Sequence, residues 1–359
     1  MSEIRSICIV GPTGPTGGIS RYITGQQEHL NDSNYNTSVH ETDVPSGSGI
    51  IWLIRAVILS ISDAFKFLFV PRADVYHIHT SHSLSFFRAS FYVLFTRYVW
   101  RRPVVLHVHG SSFDEFVDTD SRLLVWYQTK VFAATCRVIV LSSYWEDVLS
   151  PRVSPDKIET IPNAIDPSDY NPEWNGSIAH VVFISNLIGR KGVRELIEAI
   201  HRVDQSSSRE YRVTIAGKGP LSSNVEELAV ETDCVDYRGF VSEREKRSII
   251  ESGSIYVLPS YAEGLPIAIL EGMAGGNAIV STTVGSIPEV VSKDNGITVE
   301  PRDVDGLESA IRELIANPER TEKMGRRSRK LAEEQYSWEY VAGRLKKVYR
   351  DCVDEHYSA

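Results

Sequence analysis

Cysteine and methionine are scarce in this chain of 359 residues, four of the first and three of the second. Cys8, Cys136, Cys234 and Cys352 lie far apart with no C-x-x-C pair. That excludes a disulfide framework and a zinc ribbon, and it fits a reducing, cytoplasmic compartment. Positive charge is short as well: 38 Lys and Arg against 47 Asp and Glu give a net charge of −9. With no basic excess to neutralise phosphates, nucleic acid is excluded as the main partner. No leader is readable, because MSEIRSICIV runs directly into a strand-like pattern. An uninterrupted spanning run is missing too. Residues 50–70 are largely apolar, but Arg55, Asp63 and Lys66 break them, which argues against a helix that crosses a bilayer.

What is present is an ordinary globular composition, 42% hydrophobic and 24% charged, in a chain too long for one compact core. Short apolar runs alternate with helical-period segments almost throughout, the pattern of βαβ units and a parallel sheet. Strands are expected at 6–10, 37–41, 75–79, 104–109, 138–141 and 158–161. A Pro-, Asn- and Asp-rich stretch, IPNAIDPSDYNPEWNGS, then reads as a linker. The rhythm restarts at 180–184, 212–216, 235–237, 255–258, 278–281 and 296–299. Two runs of six strands predict an α/β protein of two Rossmann-like, doubly wound domains facing across a cleft. Residues 1–168 form the first and 176–336 the second, and a final helix from 337 packs back on the first. Ligands of such sheets bind beyond the carboxyl ends of the strands, so motifs placed there carry the most weight.

The first such motif is Gly11-Pro-Thr-Gly14-Pro-Thr-Gly17-Gly18, leading into a helix near Ser20. Its glycines let the backbone approach a pyrophosphate, and the helix N-terminus offers N–H groups to an anion. The same loop suits an NAD-dependent sugar oxidoreductase or epimerase, but the Tyr-x-x-x-Lys pair of those enzymes is absent. Next come His77-x-His79-x-x-His82 and His107-x-His109-Gly110 at two strand ends. Alternate strand residues share a face, so either H-x-H pair can converge on a metal, yet no carboxylate or Cys at a matching strand end completes a site. His77 and His107 read as hydrogen-bonded core residues. His109, with Gly110 opening the loop, reads as a rim residue able to bond a sugar hydroxyl or phosphate.

In the second half, Asn186-Leu-Ile-Gly189-Arg190-Lys191-Gly192 places cations at a strand-to-helix turn, where they suit a diphosphate. The strongest motif runs from Glu263-Gly264-Leu265-Pro266-Ile267 to Glu271. Pro266 is expected as the first helical residue, with Glu263 in the preceding loop and Glu271 about two turns inside an otherwise apolar helix. Backbone N–H groups near Leu265 and Ile267 then point at a phosphate, one carboxylate reaches a neighbouring sugar, and the other accepts ribose hydroxyls. Asp118-x-Asp120 and Asp303-x-Asp305 resemble D-x-D metal motifs but sit in polar segments and read as solvated acids.

In their shared order these residues resemble the retaining glycosyltransferases of family four, of GT-B fold, whose hallmark is Glu-x7-Glu. The likeness runs through Gly17-Gly18, His109-Gly110, Pro162-Asn163, Arg190-Lys191-Gly192, Gly217-x-Gly219, Gly239-Phe240-Val241, Glu263 to Glu271, and Ser337-Trp338. It implies transfer of a sugar from a UDP- or GDP-sugar to a glycan or lipid-linked acceptor, with no metal or other cofactor required. His109, Glu263, Lys191 and Arg190 would serve the transfer. Gly17, Gly18, Asn186, Gly217, Phe240, Val241, Gly264, Leu265, Pro266, Ile267 and Glu271 would hold the donor. Asn186 stands where relatives commonly carry Arg, so the diphosphate clamp either falls to Arg190 or is weaker. A non-catalytic GT-B partner subunit is the other alternative. Residues 50–70 read as a helix packed on a sheet. Taken with FFRASFYVLFTRYVWRR at 86–102, they read instead as a face resting on an anionic membrane.

Overall fold

A computed structural model describes residue 4 and residues 6–14, 17–31, 35–42, 49–174, 178–206 and 209–358. Pro15 and Thr16 of the glycine loop, and residues 175–177 with the expected start of the second domain, lie outside the described residues.

The chain divides into two compact units, Met1–Asn163 with Trp338–Ala359, and Ala164–Ser337. Unit 1 holds β1 (Ser6–Gly11), α1 (Gly18–Asn31), β2 (Asn36–Glu41), α2 (Ile50–Phe67), β3 (Val75–Thr80), α3 (Leu84–Phe95), β4 (Val104–Val108), α4 (Phe113–Val117), α5 (Arg122–Ala133), β5 (Arg137–Val140), α6 (Ser143–Leu149) and β6 (Ile158–Thr160). Unit 2 holds β7 (Ala179–Ile184), α7 (Val193–Ser206), β8 (Tyr211–Ala216), α8 (Ser222–Glu231), β9 (Val235–Gly239), α9 (Glu243–Glu251), β10 (Ile255–Leu258), α10 (Ile267–Ala274), β11 (Ala278–Thr282), α11 (Ile287–Val290), β12 (Gly296–Val299), α12 (Val304–Ala316) and α13 (Pro318–Gln335). Helix α14 (Trp338–Ser358) returns to unit 1.

Each unit has one six-stranded sheet, ordered β2-β1-β3-β4-β5-β6 and β12-β11-β10-β7-β8-β9, with every pairing parallel. The inner strands are largely apolar, as expected where both faces of a parallel sheet are covered: β3, β4 and β10 are buried at every position, His77, His79, Thr80 and His107 among them. The order reverses between β1 and β3 in unit 1 and between β7 and β10 in unit 2, the places where such sheets open a crevice.

Boundaries differ from the sequence reading where long-range contacts decide them. Residues 164–168 belong to unit 2. Arg329 on α13 donates to the carbonyls of Pro167, Tyr170 and Ala274 at 2.6, 2.9 and 2.7 Å, and Ile165 pairs with Ser337. Helix α1 starts at Gly18 rather than near Ser20, and the last helix reaches Ser358. Its first residue, Trp338, packs on α1, stacking with His29 and leaning on Tyr22 at ring separations of 5.2 and 5.0 Å. Gly25 makes room for the indole, since a Cβ there would stand 2.4 Å from it.

Candidate functional site

The loops leaving β7 and β10 carry the basic turn and the first glutamate, one on each side of the strand-order reversal of unit 2. After β7 the chain makes a single 3-10 turn, Gly189–Lys191, closed by Gly192 at φ 69. A Cβ on Gly192 would lie 1.9 Å from the Pro259 carbonyl oxygen, so glycine alone lets this turn sit on the loop after β10. The two loops are then stitched together. Tyr261 N–H donates to the Arg190 carbonyl at 2.8 Å, and Arg190 Nη1 donates to the Ala262 carbonyl at 2.5 Å. The Arg190 guanidinium therefore pins the Glu263 loop. Seated this way, Lys191 Nζ lies 2.5 Å from Glu263 Oε1, with both side chains mostly buried. Asn186 is exposed, its carbonyl accepting the Ile188 N–H at 2.9 Å.

Pro266 is not the first helical residue. Its ψ of 120° is extended, so it caps α10, and Ile267 begins the helix. Glu271 accordingly lies little more than one turn inside, not two. Gly264, Leu265 and Pro266 are buried and Ile267 half-buried. The first N–H groups of α10 have no intrahelical partner, which makes its start an anion-seeking end.

Glu271 is buried, and its partner is a residue the sequence reading missed. Lys246 Nζ lies 2.5 Å from Glu271 Oε1 and 2.6 Å from Glu243 Oε2, with the Lys246 and Glu271 side chains only 6% and 7% exposed. Ser242 and Glu245 form a capping box that starts α9, which turns Lys246 inward above the fully buried Ile250. Burial, and secondarily the Glu271 carboxylate, push the Tyr170 phenol well above its ordinary range. At the ends of β8 and β9, the Gly217 N–H donates to the Gly239 carbonyl at 2.7 Å and Tyr237 Oη donates to the Gly217 carbonyl at 3.0 Å. Phe240 is 71% exposed and Val241 half-buried.

Unit 1 carries a second polar cluster. Register sets His79 beside His107 across β3 and β4, and each H-x-H pair stacks, with ring centroids 4.4 Å apart for His77–His79 and 3.9 Å for His107–His109. Gln26 on α1 orders the protons. Its Oε1 accepts from His79 Nε2 at 2.9 Å, so His79 Nδ1 is a lone pair and accepts from His109 Nε2 at 2.9 Å. Its amide nitrogen faces His77 Nδ1 at 2.7 Å and Tyr349 Oη at 2.8 Å, so His77 Nε2 donates to His107 Nδ1 at 3.2 Å. His107 Nε2 is buried without a partner among the described residues. The side-chain nitrogens of His77, His79 and His107 lie within 4.8 Å of one another, a spacing open to a metal ion. In this hydrogen-bonded arrangement both nitrogens of His77 and His79 are already engaged. Burial holds the imidazoles neutral, pulling His77 down to about 3 and His79 and His107 well below the usual histidine range. His109, half-buried at the outer end of the stack, is lowered by burial against the opposing effect of the Asn163 side chain. Its ring stands 5.1 Å from that of Tyr22 on α1, whose exposed start is Gly18 preceded by Gly17 at φ 124.

The D-x-D pairs are not clustered. Asp118 ends α4, while Asp303 caps α12 by accepting the Gly306 N–H at 2.9 Å and Asp305 pairs with Arg202 at 2.5 Å.

Residues 16–169 match the family model described as Glycosyltransferase Family 4, and residues 179–317 match Glycosyl transferases group 1. The chain belongs to this family. Its fold is GT-B: it superimposes on sucrose-phosphate synthase from Thermosynechococcus elongatus with a TM-score of 0.79 over 98% of this chain and all of that one, at 16% identity. The Anabaena protein HepE, solved in complex with UDP, gives a TM-score of 0.74 at 15% identity, over 96% of this chain and 99% of that one. Among curated relatives, the MMP alpha-(1→4)-mannosyltransferase of Mycolicibacterium hassiacum is 26% identical over 71% of this chain and 60% of its own length. A phosphatidylinositol N-acetylglucosaminyltransferase polypeptide of Arabidopsis thaliana is 36% identical over 56% of this chain and 46% of its own length. The chain thus spans about half to three-fifths of these two relatives.

Proposed function

We propose that this group 1 glycosyltransferase moves a sugar from a UDP- or GDP-sugar to a hydroxyl of a glycan or lipid-linked glycan, with retention and without a metal ion. The observation that carries the reading is the Lys191–Glu263 contact, fixed beside the start of α10 at the strand reversal of unit 2. Lys191 is a point charge suited to the diphosphate, and the start of α10 offers N–H groups to the same anion. Glu263 then accepts hydroxyls of the transferred sugar, and Glu271 accepts those of the ribose. Phe240 and Val241 border the base, and His109 is the residue of unit 1 proposed to serve the sugar. Lys191 and the helix start neutralise the leaving diphosphate as charge develops, the task a divalent cation would otherwise perform. The leaving phosphate itself assists the incoming hydroxyl on the same face of the sugar. HepE's complex with UDP-glucose supports a UDP-sugar as the first donor to try. The four free cysteines support a reducing, cytoplasmic location.

Calorimetry with UDP and GDP tests the assignment. Lys191→Ala and Glu271→Ala should each weaken the bound nucleotide by about tenfold or more, the scale of one lost charge-assisted hydrogen bond. Unchanged affinity for both nucleotides in both variants sinks the site. Glu263→Ala should lower turnover by roughly 10²-fold, a transition-state effect, while leaving nucleotide affinity nearly intact. Turnover should survive EDTA, and the product anomer, read by NMR, should match that of the donor.

A further inference from the structure

Helix α2 is inside out. Its inward face is Trp52, Ala56, Asp63 and Phe67, and the acid on that face is held there: Asp63 is 2% exposed and pairs with Arg88 and Lys66, each at 3.4 Å. The opposite arc carries Ile50, Ile51, Ile54, Ile58, Ile61 and Phe65, each between 55% and 75% exposed. At 100° per residue these side chains fall within one stripe along the helix, with Arg55 and Lys66 on its flank. A surface helix ordinarily turns that stripe to the core. The stripe continues at Phe69, and Phe87, Tyr98 and Val99 are also exposed, on α3 and the turn that follows it. Most of the large apolar side chains exposed among the described residues fall between Ile50 and Val99. Contiguous apolar surface of this kind marks a docking face.

Charge identifies what docks. Between Ile50 and Gly110 the sequence has seven Lys or Arg and two acids, in a protein of net charge −9. Both acids are engaged within the unit, Asp63 as above and Asp74 by accepting from the N–H and hydroxyl of Ser6 at 3.0 Å. Arg55, Lys66, Arg97 and Arg101 are exposed. The partner must therefore be anionic and apolar at once. A second copy of the chain does not qualify, because the same cationic arc would face itself. Among the described residues no helix is long and apolar enough to cross a membrane.

We propose that the outer arc of α2, with Phe69, Tyr98 and Val99, lies in the headgroup layer of an anionic lipid bilayer, the helix parallel to the membrane plane. The arginines beside it meet the lipid phosphates. This surface is independent of the donor site, and it presents unit 1 to acceptors carried on lipid.

Co-sedimentation of the full chain with vesicles of phosphatidylcholine alone, or with phosphatidylglycerol added, tests the proposal. Binding is expected only with the anionic lipid, and it should weaken with salt. Ile58→Asp with Ile61→Asp should reduce partitioning at least tenfold, as should Arg97→Ala with Arg101→Ala. Val230→Asp, at an exposed apolar position of unit 2, should change nothing. Hydrogen-exchange protection of β3 and β4 should be unaltered in these variants, which shows that unit 1 folds, and unaltered UDP calorimetry separates this test from that of the donor site. Absence of binding to anionic vesicles at low salt overturns the proposal. So does binding that the α2 substitutions leave intact, or a dimer in solution that those substitutions dissociate.

Discussion

Mild acid should loosen unit 1 well before it loosens unit 2. In the folded chain His77 titrates near 3, and His79 and His107 are lowered as well; in the unfolded chain each takes a proton near 6.5. Below 6.5 the unfolded state therefore binds more protons, so stability is full above that pH and falls as pH drops toward the folded values. For His77 alone the loss at pH 5 is about 2 kcal/mol, one and a half pH units at about 1.4 kcal/mol each. His79 and His107 act in the same direction. A domain is held folded by only roughly 5–15 kcal/mol, so losses in one direction at three neighbouring sites weigh on unit 1. Unit 2 has one comparable group, His180, lowered to about 4 by burial, and loses about 2 kcal/mol over the same range. Hydrogen exchange at pH 7.5, 6 and 5, corrected for intrinsic rates, reads both units in one sample. Protection of β3 and β4 should fall more steeply than that of β7 and β8. Equal losses in the two units, or none, would refute the neutral histidine stack.

Two further perturbations probe unit 2. Lys246→Met removes the cation paired with the buried Glu271 carboxylate and should cost about 3–5 kcal/mol in urea unfolding; adding Glu271→Gln should recover most of it, and a double variant as unstable as the single one argues against a coupled pair. Gly192→Ala drives a Cβ into the Pro259 carbonyl at a left-handed backbone position, so it should lower the melting temperature and weaken UDP together. A variant of normal stability and affinity shows that the two loops need not touch.

The strands were legible because each is a short apolar run closed by turn residues, and each of the twelve was placed to within about two residues of its observed ends. Which contacts they make was less so. Two H-x-H pairs announce shared faces, yet only the register of β3 against β4 stacks them, and only Gln26 from another helix sets their protons. Lys246 hides in the run Glu-Arg-Glu-Lys-Arg, which reads as a solvated face; its place four residues before the buried Ile250 was the available signal. Periodicity shows that α2 is two-faced but not which face turns inward. That depends on Arg88, contributed by α3. The stretch 164–168 was misassigned because its anchor, Arg329, lies some 160 residues downstream.

The return of α14 to unit 1 bears on how the protein is made. Tyr349 donates to His77 Nδ1 at 2.6 Å and accepts from Gln26, and Trp338 fills the space over Gly25. Unit 1 therefore cannot close its interior until the final helix has left the ribosome, whereas unit 2, one continuous segment, is already complete. Folding during synthesis then runs against chain order, the later unit first.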